Sequence, residues 1–471
     1  MNLQTTETDY ASFLARKTAV QESVGLSNVD NLPSALKPFQ RDIVTWALKR
    51  GRSAVFAGTG LGKTFQQLSW ADAVRRDAGR PVLVLAPLAV AQQTVQEAQK
   101  FNIDAVTYAA HQDDARSSIV VTNYDRIHNF DPDKFEGIVL DESSIIKAHD
   151  SKTRKTLIDF TQDIPFRLPC TATPAPNDYV ELGNHAEFLG VCSAKEMLAT
   201  WFVHDGSMKA TNTKNHDARK NGKPVAEWRL KGHAEQEFWA WLSSWSVMLR
   251  HPRELGYDEP GYDLPPLHKQ FITVHSDLPI AHSLSERLRA RRDSTVERVR
   301  AAAELVNSMP DRPWLVWCNS NTESEMLTAA IRDAVEVRGS HPAELKAQRL
   351  MGFANGTVRV LVSKPSIAGW GMNFQRCSHQ VFVGLNDSFE QLFQAIRRCW
   401  RFGQTQDVFA WFIASTAEGA VVDNLAEKEA AAEYMADQMS KHTRTLMTRT
   451  LRGDREVTPH TTKMEIPTWL M

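Results

Sequence analysis

The chain has 471 residues, which is too long for one hydrophobic core and fits two to three domains. Its 55 Lys and Arg residues nearly balance its 56 Asp and Glu residues, so the formal net charge is −1. No overall positive field therefore indicates nucleic-acid binding, and any contact with a polyanion must come from local basic clusters.

The cysteines and the hydropathy favour a cytoplasmic protein. The five cysteines form no CxxC pair, so we expect reduced thiols and no zinc site. The first residues lack the basic and apolar stretches of a signal peptide, and no apolar run reaches the ~18 residues of a membrane span. The sequence therefore predicts neither secretion nor a transmembrane helix.

The most informative segment is a glycine-rich loop, Ala57-Gly58-Thr59-Gly60-Leu61-Gly62-Lys63-Thr64. An apolar run precedes it and a helical pattern follows it, which is the context of a phosphate-binding loop, or P-loop. Backbone N–H groups and the helix N-terminus would surround the β- and γ-phosphates, and glycines permit this close approach. Lys63 would add a positive charge, and the Thr64 hydroxyl would bind Mg²⁺. The loop predicts that the chain binds a nucleoside triphosphate.

A series of short apolar segments surrounds this loop, each followed by polar residues and a helical pattern. The segments are 53–57, 81–87, 118–122, 137–141 and 167–173. Apolar strands that alternate with helices indicate a parallel sheet with both faces covered. The sequence therefore predicts an α/β domain around the P-loop.

Two adjacent acids end one of these predicted strands. Asp141 and Glu142 follow the apolar run 137–140, and ligands of parallel sheets bind at the carboxyl ends of the strands. Asp141 would hold Mg²⁺, directly or through water. Glu142 would orient and deprotonate the water that attacks the γ-phosphate. Together with the P-loop, the pair predicts hydrolysis.

The region 205–231 differs in character, with seven basic residues, three acidic residues and little apolar periodicity. An aromatic-rich helical pattern follows at 238–248. One interpretation is a solvated loop and a small helical subdomain with a tryptophan core. The other is an insertion that contacts nucleic acid, with cations on phosphates and a tryptophan stacked on a base.

A second apolar series begins at residue 314, which predicts a second α/β domain without a P-loop. Its segments are 314–318, 358–363, 380–384 and 408–413. Near its end, Arg398 and Arg401 are three residues apart and would share a helix face. Such arginines can simply solvate a helix, but a guanidinium delivered across a cleft stabilises charge on the γ-phosphoryl group in many ATPases.

The order of these motifs over residues 34–425 resembles that of superfamily 2 helicases, particularly the SWI/SNF-type translocases. The resemblance implies two RecA-like lobes that flank an ATP cleft, with a helical and loop insertion between them. It implies that Gln40 of the segment 36–40 reads the adenine. Segments 57–64, 141–144 and 394–404 correspond to motifs I, II and VI.

The same resemblance implies roles outside the hydrolysis site. Segments 86–90 and 122–125 stand where motifs Ia and Ib track the nucleic-acid backbone, 171–174 is motif III, 317–320 is motif IV, and 367–375 is motif V. The residues implied to contact nucleic acid are Pro87, Asn123, Tyr124 and Asn373. The residues implied to couple hydrolysis to movement are Thr171, Thr173, Gly369, Gly371 and Gln394.

Within the superfamily the chain resembles the short DEAD/DEAH-box-type helicases of bacteriophages and prophages. The similarity rests on the segments 141–144, 228–233, 364–369 and 397–403. Ser144 stands where many relatives have His, and Arg397 where remodellers usually have Gly. We find no chromatin-reading module, so nucleosome remodelling is not implied.

We divide the chain into an N-terminal helical extension, a first lobe, a basic Trp-rich insertion with linker, a second lobe and a C-terminal helical tail. Their bounds are 1–33, 34–195, 196–266, 267–425 and 426–471. The expected function is an ATP-dependent DNA helicase or translocase of phage or prophage DNA metabolism, acting on duplex or forked DNA in a bacterial or phage-infected cytoplasm. An RNA helicase, or a nucleic-acid-binding accessory protein with little ATPase activity, is the alternative.

Overall fold

Two parallel β-sheets organise the chain in the computed structural model, which describes residues 24–205, 227–281, 284–368, 372–385 and 388–452. The strands in these ranges are β1 (Ala54–Ala57), β2 (Val82–Ala86), β3 (Val106–Tyr108), β4 (Ile119–Asn123), β5 (Gly137–Asp141), β6 (Phe166–Cys170), β7 (Phe202–Asp205), β8 (Glu227–Leu230), β9 (Ser246–Leu249), β10 (Leu267–Val274), β11 (Trp314–Trp317), β12 (Ala334–Val337), β13 (Val360–Ser363), β14 (His379–Val383) and β15 (Val408–Ser415). The first sheet has the order β3-β4-β2-β5-β6-β1-β9, and the second has the order β10-β15-β14-β11-β13-β12. β7 and β8 form a separate antiparallel pair.

Helices connect the strands and cover the sheets. The α-helices in the described ranges are Pro38–Arg50, Lys63–Ala78, Leu88–Lys100, Lys152–Phe160, Leu182–Leu189, Ala194–Trp201, Glu235–Trp245, Leu284–Asp293, Thr295–Asn307, Asn321–Ala330, Ala343–Asn355, Pro365–Ala368, Phe389–Ile396 and Gly419–Arg452. Hydrophobic side chains of the strands fall into two core clusters for each sheet.

Neighbouring strands are parallel throughout both sheets, and most of them are buried along their whole length. Because side chains of a strand alternate between the two faces, such strands need apolar residues at every position and helices on both sides. The α/β class with two parallel-sheet lobes, predicted from the sequence, is confirmed.

The strand order brings the predicted motifs of the first lobe to one edge. β5, β6 and β1 are neighbours, with Asp141 opposite Cys170 and Val55 opposite Cys170 in the two registers. Since parallel strands end at the same edge, the P-loop after β1, the acids after β5 and the Thr171 segment after β6 lie side by side.

The first sheet extends beyond residue 195, where we placed the end of the first lobe. β9 pairs with β1 from Ala54 opposite Ser246 to Ala57 opposite Leu249. The Gly58 N–H donates a hydrogen bond to the Leu249 carbonyl at 2.8 Å. The range 196–266 therefore contributes an edge strand that supports the P-loop.

Tryptophans of the same range pack into the first lobe. Trp239 and Trp245 on helix Glu235–Trp245 are 0% and 1% exposed, and they share a core cluster with Phe56 and Phe188. The structure thus favours the packing interpretation for these residues. Most of the basic residues of the region 205–231 lie outside the described ranges.

The last helix, Gly419–Arg452, contacts both lobes. Val421 and Leu425 near its start belong to a core cluster of the second lobe. Further along, Met439 and Met447 are buried in the two clusters of the first lobe. The predicted C-terminal helical tail is, in its described part, a packed helix that bridges the lobes.

Residues 24–33 of the predicted N-terminal helical extension contain no helix. The remainder of that extension, 1–23, and the segment 453–471 lie outside the described ranges. Among the residues that the structure describes, we find no helix whose length and hydropathy would let it cross a bilayer.

Candidate active site

The P-loop lies between β1 and helix Lys63–Ala78. Gly60 and Gly62 have φ values of +90° and +79°, which favour glycine. The Lys63 ammonium group donates to the Ala57 carbonyl at 2.9 Å and to the Gly58 carbonyl at 3.3 Å. Burial lowers the pKa of Lys63, and the nearby carboxylates of Glu142 and Asp141 oppose that shift. The loop thus holds a cation beside two acids.

Gln40 supports the P-loop. Its Nε2 donates to the Leu61 carbonyl at 2.9 Å, and its Oε1 accepts the Lys37 N–H at 3.0 Å. A Cβ on Gly62 would lie 2.4 Å from this Nε2. The side chain is 5% exposed. Gln40 lies at the predicted site, but both ends of its amide are bound to the backbone, so the predicted contact with adenine stays a prediction.

Asp141 is held from two sides. Gln67, on the P-loop helix, donates from Nε2 to Asp141 Oδ1 at 2.8 Å, and the Tyr124 hydroxyl donates to the Asp141 carbonyl at 2.6 Å. Burial raises the pKa of Asp141, while the bond from Gln67 and the charge of Lys63 lower it. The carboxylate is fixed close to the P-loop.

Glu142 occupies a buried position with a strained backbone. Its φ is +54°, which is rare for a residue other than glycine and is common at active sites. The Thr171 hydroxyl donates to Glu142 Oε2 at 3.3 Å. Burial raises the pKa of Glu142 to about 7; the charge of Lys63 lowers this pKa and that of Asp141 raises it. A pKa near neutrality suits a general base.

The second lobe reaches this carboxylate. Gln394 Nε2 lies 3.4 Å from Glu142 Oε2, and Gln394 Oε1 accepts a hydrogen bond from Arg398 Nη2 at 3.0 Å. A Cβ on Gly60 would lie 2.9 Å from the Cβ of Phe402, so motif VI lies directly against the P-loop. Side chains of both lobes therefore meet at Glu142.

The two predicted arginines are neighbours in the cleft. Arg398 is 4% exposed, and its Nη1 and that of Arg401 both donate to the Met372 carbonyl, at 3.2 and 3.3 Å. Burial lowers the pKa of Arg398 to about 10, with Arg401 adding to the shift and Glu142 opposing it. Burial also lowers the pKa of Arg401, and Glu97 of the first lobe opposes that shift. Both guanidinium groups therefore interact with acids across the cleft.

Sequence comparison matches these two halves to known domains. A model of the SNF2-related domain matches residues 39–232, and a model of the helicase conserved C-terminal domain matches residues 297–403. The chain contains an SNF2-related domain followed by a helicase conserved C-terminal domain. The first match contains the P-loop and the two acids, and the second contains Arg398 and Arg401. Together they indicate a superfamily 2 helicase of the SWI/SNF type.

Individual relatives are longer than this chain. The DNA annealing helicase and endonuclease ZRANB3 of Bos taurus is 24% identical over 433 residues, which cover 80% of this chain and 38% of that protein. The chromatin-remodeling ATPase INO80 of Pyricularia oryzae is 27% identical over 260 residues, which cover 46% of this chain and 13% of that protein. The Sulfolobus solfataricus SWI2/SNF2 ATPase core in complex with dsDNA aligns with a TM-score of 0.41 and 17% identity, over 92% of this chain and 99% of that chain.

Most of the remaining predicted residues fall into three groups. Thr171 and Thr173 are both buried; the Thr171 hydroxyl contacts Glu142, and the Thr173 N–H donates to the Thr171 hydroxyl at 3.1 Å. Gly369 and Gly371 lie outside the described residues. Pro87, at the carboxyl end of β2, and the exposed Asn373 stay predictions for nucleic-acid contact.

The predicted contact of Asn123 and Tyr124 with nucleic acid stays a prediction. These side chains are 4% and 7% exposed. Tyr124 points its hydroxyl at the Asp141 carbonyl, as described above. Tyr124 belongs to a core cluster of the first lobe, and its hydroxyl group supports the main chain at Asp141.

Three residues that the sequence did not single out complete the site. Gln67 holds Asp141; it lies four residues after Lys63 and thus on the same helix face, a signal that could have found it. His185 Nε2 lies 3.0 Å from the Ser143 hydroxyl, and Glu390 of the second lobe contacts motif II. Nothing local in the sequence indicates the last two.

Thr64 and Asp141 fit a Mg²⁺ ion in their chemistry, since Mg²⁺ takes oxygen ligands. Asp141 is a buried carboxylate next to the P-loop, and the hydrogen bonds of the Lys63 ammonium group go to carbonyl oxygens. In the described ranges, no group of three His, Cys, Asp or Glu residues is arranged as a metal site. When ATP is bound, its phosphate oxygens and water would supply the other ligands of the ion.

The raised pKa of Glu142 predicts a pH-dependent cost in stability. The folded state binds the proton with a pKa of about 7, above the unfolded value near 4.5, so stability falls as pH rises between these values. We expect Glu142→Gln, without nucleotide or Mg²⁺, to raise Tm at pH 8 by at least about 2 °C, and by less at pH 5. Thermal unfolding of both proteins at both pH values measures this, with the exposed Glu237→Gln as control. Equal Tm differences at the two pH values would contradict the shift.

Proposed function

We propose that the chain is an ATP-dependent DNA helicase or translocase that hydrolyses ATP between its two lobes. The observation that carries the proposal is the meeting of both lobes at one carboxylate, where Gln394 Nε2 lies 3.4 Å from Glu142 Oε2. The same glutamine holds Arg398 through two hydrogen bonds of 3.0 Å. Gln394 therefore connects the second lobe to the hydrolysis site.

The side chains present suit phosphoryl transfer to water. Lys63 would bind the β- and γ-phosphates, and Glu142 would accept the proton of the attacking water, for which its pKa of about 7 is suitable. Arg398 and Arg401 would stabilise the charge that develops on the γ-phosphoryl group. Mg²⁺, held by Thr64 and Asp141, would neutralise phosphate charge when bound.

Hydrolysis would drive movement because ATP binds the closed lobes better than the open ones. A ligand shifts a conformational equilibrium only by its differential affinity for the two states. ATP, held by the first lobe and by the arginines of the second, has that property. Alternate closing and opening would then shift the grip of the two lobes on a DNA backbone.

DNA is the proposed nucleic acid because the relatives named above are a DNA annealing helicase and a chromatin-remodeling ATPase. The chain spans 38% or less of their length, so only the motor function is proposed. A net charge of −1 is compatible with DNA binding, since only the groove needs to be positive. Pro87, Asn123, Tyr124 and Asn373 are the proposed contacts.

A phage or prophage setting and a cytoplasmic location are part of the proposal. The setting is supported by the Asp-Glu-Ser-Ser form of motif II and by the segments 364–369 and 397–403. The location is supported by the five cysteines, which form no disulfide with one another in the structure.

The function is tested by ATP turnover with single-stranded DNA, duplex DNA, forked DNA and RNA. We expect duplex or forked DNA to stimulate turnover more than RNA does. Glu142→Gln, the matched variant, should retain ATP and DNA binding and hydrolyse at least about a hundredfold more slowly. Stimulation by RNA alone would favour the RNA helicase. Binding of DNA without turnover by the unmodified chain would favour the accessory protein.

A further inference from the structure

One carboxylate joins the two lobes beside the hydrolysis site. Glu390, at the start of helix Phe389–Ile396 in the second lobe, accepts hydrogen bonds from the Ser144 hydroxyl and the Lys147 ammonium group of the first lobe. The Glu390 side chain is 7% exposed and that of Lys147 is 30% exposed. Both partners belong to the segment that directly follows the catalytic acids.

Glu390 shares a helix face with the residue that touches the base. Gln394 lies four residues further along the same helix, and residues four apart are neighbours on a helix surface. Gln394 Nε2 lies 3.4 Å from Glu142 Oε2. The first turn of the helix therefore holds the residues that follow Glu142 in the chain, and the next turn contacts Glu142 itself.

The segment that Glu390 holds is also fixed within the first lobe. The Ser143 hydroxyl lies 3.0 Å from His185 Nε2, and Asn184 Nδ2 donates to the Lys147 carbonyl at 2.7 Å. Glu142, just before this segment, has a φ of +54° that its surroundings must maintain. The position of the base thus depends on how firmly the next five residues are held.

We propose that Glu390 is a positioning residue that couples the approach of the second lobe to the placement of Glu142. This inference rests on the proposed ATPase function. Glu390 has both partners on the other lobe, and a carboxylate that leaves them when the lobes separate is hydrated instead. The three groups are therefore paired only when the lobes meet. When the lobes separate, Ser144 and Lys147 both lose their contact with Glu390. The segment that follows Glu142 in the chain is then no longer held by the second lobe.

Exchanging the charges of Glu390 and Lys147 by mutation distinguishes this positioning role from a merely structural one. Glu390→Lys and Lys147→Glu each place like charges together, and the double variant restores an opposite pair. We expect each single variant to lower DNA-stimulated kcat at least about tenfold, a change of about 1.4 kcal/mol in the barrier, with KM for ATP changed less than about threefold. The double variant should recover most of kcat. Glu344→Lys, an exposed acid in the first turn of another second-lobe helix, is the control and should leave kcat unchanged.

Hydrogen–deuterium exchange tests the contact without relying on ATP turnover. We expect faster amide exchange in a peptide covering 142–150 in both single variants, and a return towards the original rate in the double variant. A peptide covering β15 should stay unchanged, which shows that the variants are folded. If the unmodified chain has no ATPase activity but this pattern appears, the proposed function fails and the inter-lobe contact stands.

Two results would overturn the proposal. One is a kcat and an exchange rate of the single variants equal to those of the unmodified chain. The other is a loss in the single variants that the double variant does not recover, because a paired contact must respond to its partner. A milder variant, Glu390→Gln, keeps the shape of the side chain and covers the case in which Glu390→Lys does not fold.

Discussion

We expect Lys63→Ala to reduce ATP turnover at least about a hundredfold, to the background of the assay. The Lys63 ammonium group is the cation of the P-loop, 2.9 Å from the Ala57 carbonyl, with Asp141 and Glu142 close by. Each hydrogen bond to a charged group contributes about 1.5–3 kcal/mol, and the variant loses those to the phosphates. Steady-state turnover with duplex DNA measures the effect.

The control for this substitution is Lys100→Ala, an exposed lysine at the end of helix Leu88–Lys100. It removes the same charge away from the site and should leave turnover unchanged. Near-normal turnover by a folded Lys63→Ala protein would show that the loop 57–64 does not hold the phosphates.

Arg398→Ala should lower kcat on the order of a thousandfold, which is the lower end of the effect of arginine fingers. ATP affinity should fall much less, because the charge that Arg398 meets develops mainly in the transition state. Arg398 is held by Gln394, which in turn contacts Glu142 across the cleft. Single-turnover hydrolysis and equilibrium ATP binding separate the two effects.

Arg397→Ala is the matched control, since it removes the same charge one residue away. The Arg397 guanidinium lies over the rings of Phe393 and Trp400, at 5.2 and 4.3 Å, on the second lobe itself. Its loss should change kcat far less than the loss of Arg398. A similar fall for both variants, or no fall for either, would contradict a site composed from two lobes.

Local sequence patterns predicted the phosphate-binding loop, the two adjacent acids and the arginines of the second lobe. The loop 57–64 and the pair Asp141 and Glu142 stand at strand ends, where the residue types themselves indicate phosphate chemistry. Arg398 and Arg401 were predicted to share a helix face, but the helix Phe389–Ile396 ends before them. The structure brings the loop and the acids to one edge because β1, β5 and β6 are adjacent strands, and Arg398 reaches them from the second lobe through Gln394. Fold class followed from the same apolar runs.

Other secondary-structure elements have no local sequence pattern that identifies them. The aromatic pattern 238–248 predicted one helix, but the helix ends at Trp245 and Ser246–Leu249 forms β9. Every residue from Leu242 to Leu249 is buried, so periodicity cannot separate a buried helix end from a buried strand. β10 is an edge strand with several exposed positions, and it lacks the continuous apolar pattern of the predicted strands.

Contacts between distant residues were also beyond the sequence. Gln67 and Asp141 are separated by 74 positions, and Ser144 and Glu390 by 246. Tyr124 was assigned to nucleic acid by resemblance, yet its hydroxyl supports the Asp141 carbonyl. Which face of a short segment turns inward depends on the packing of the whole lobe, and no spacing rule encodes it.

The most direct test of an ATP-driven motor on DNA is triplex displacement, in which a third strand is bound to a duplex and its release is followed over time. We expect release that requires ATP and duplex DNA flanking the triplex, and no release by Lys63→Ala. DNA-stimulated hydrolysis by the unmodified chain without release of the third strand would contradict coupling of hydrolysis to movement.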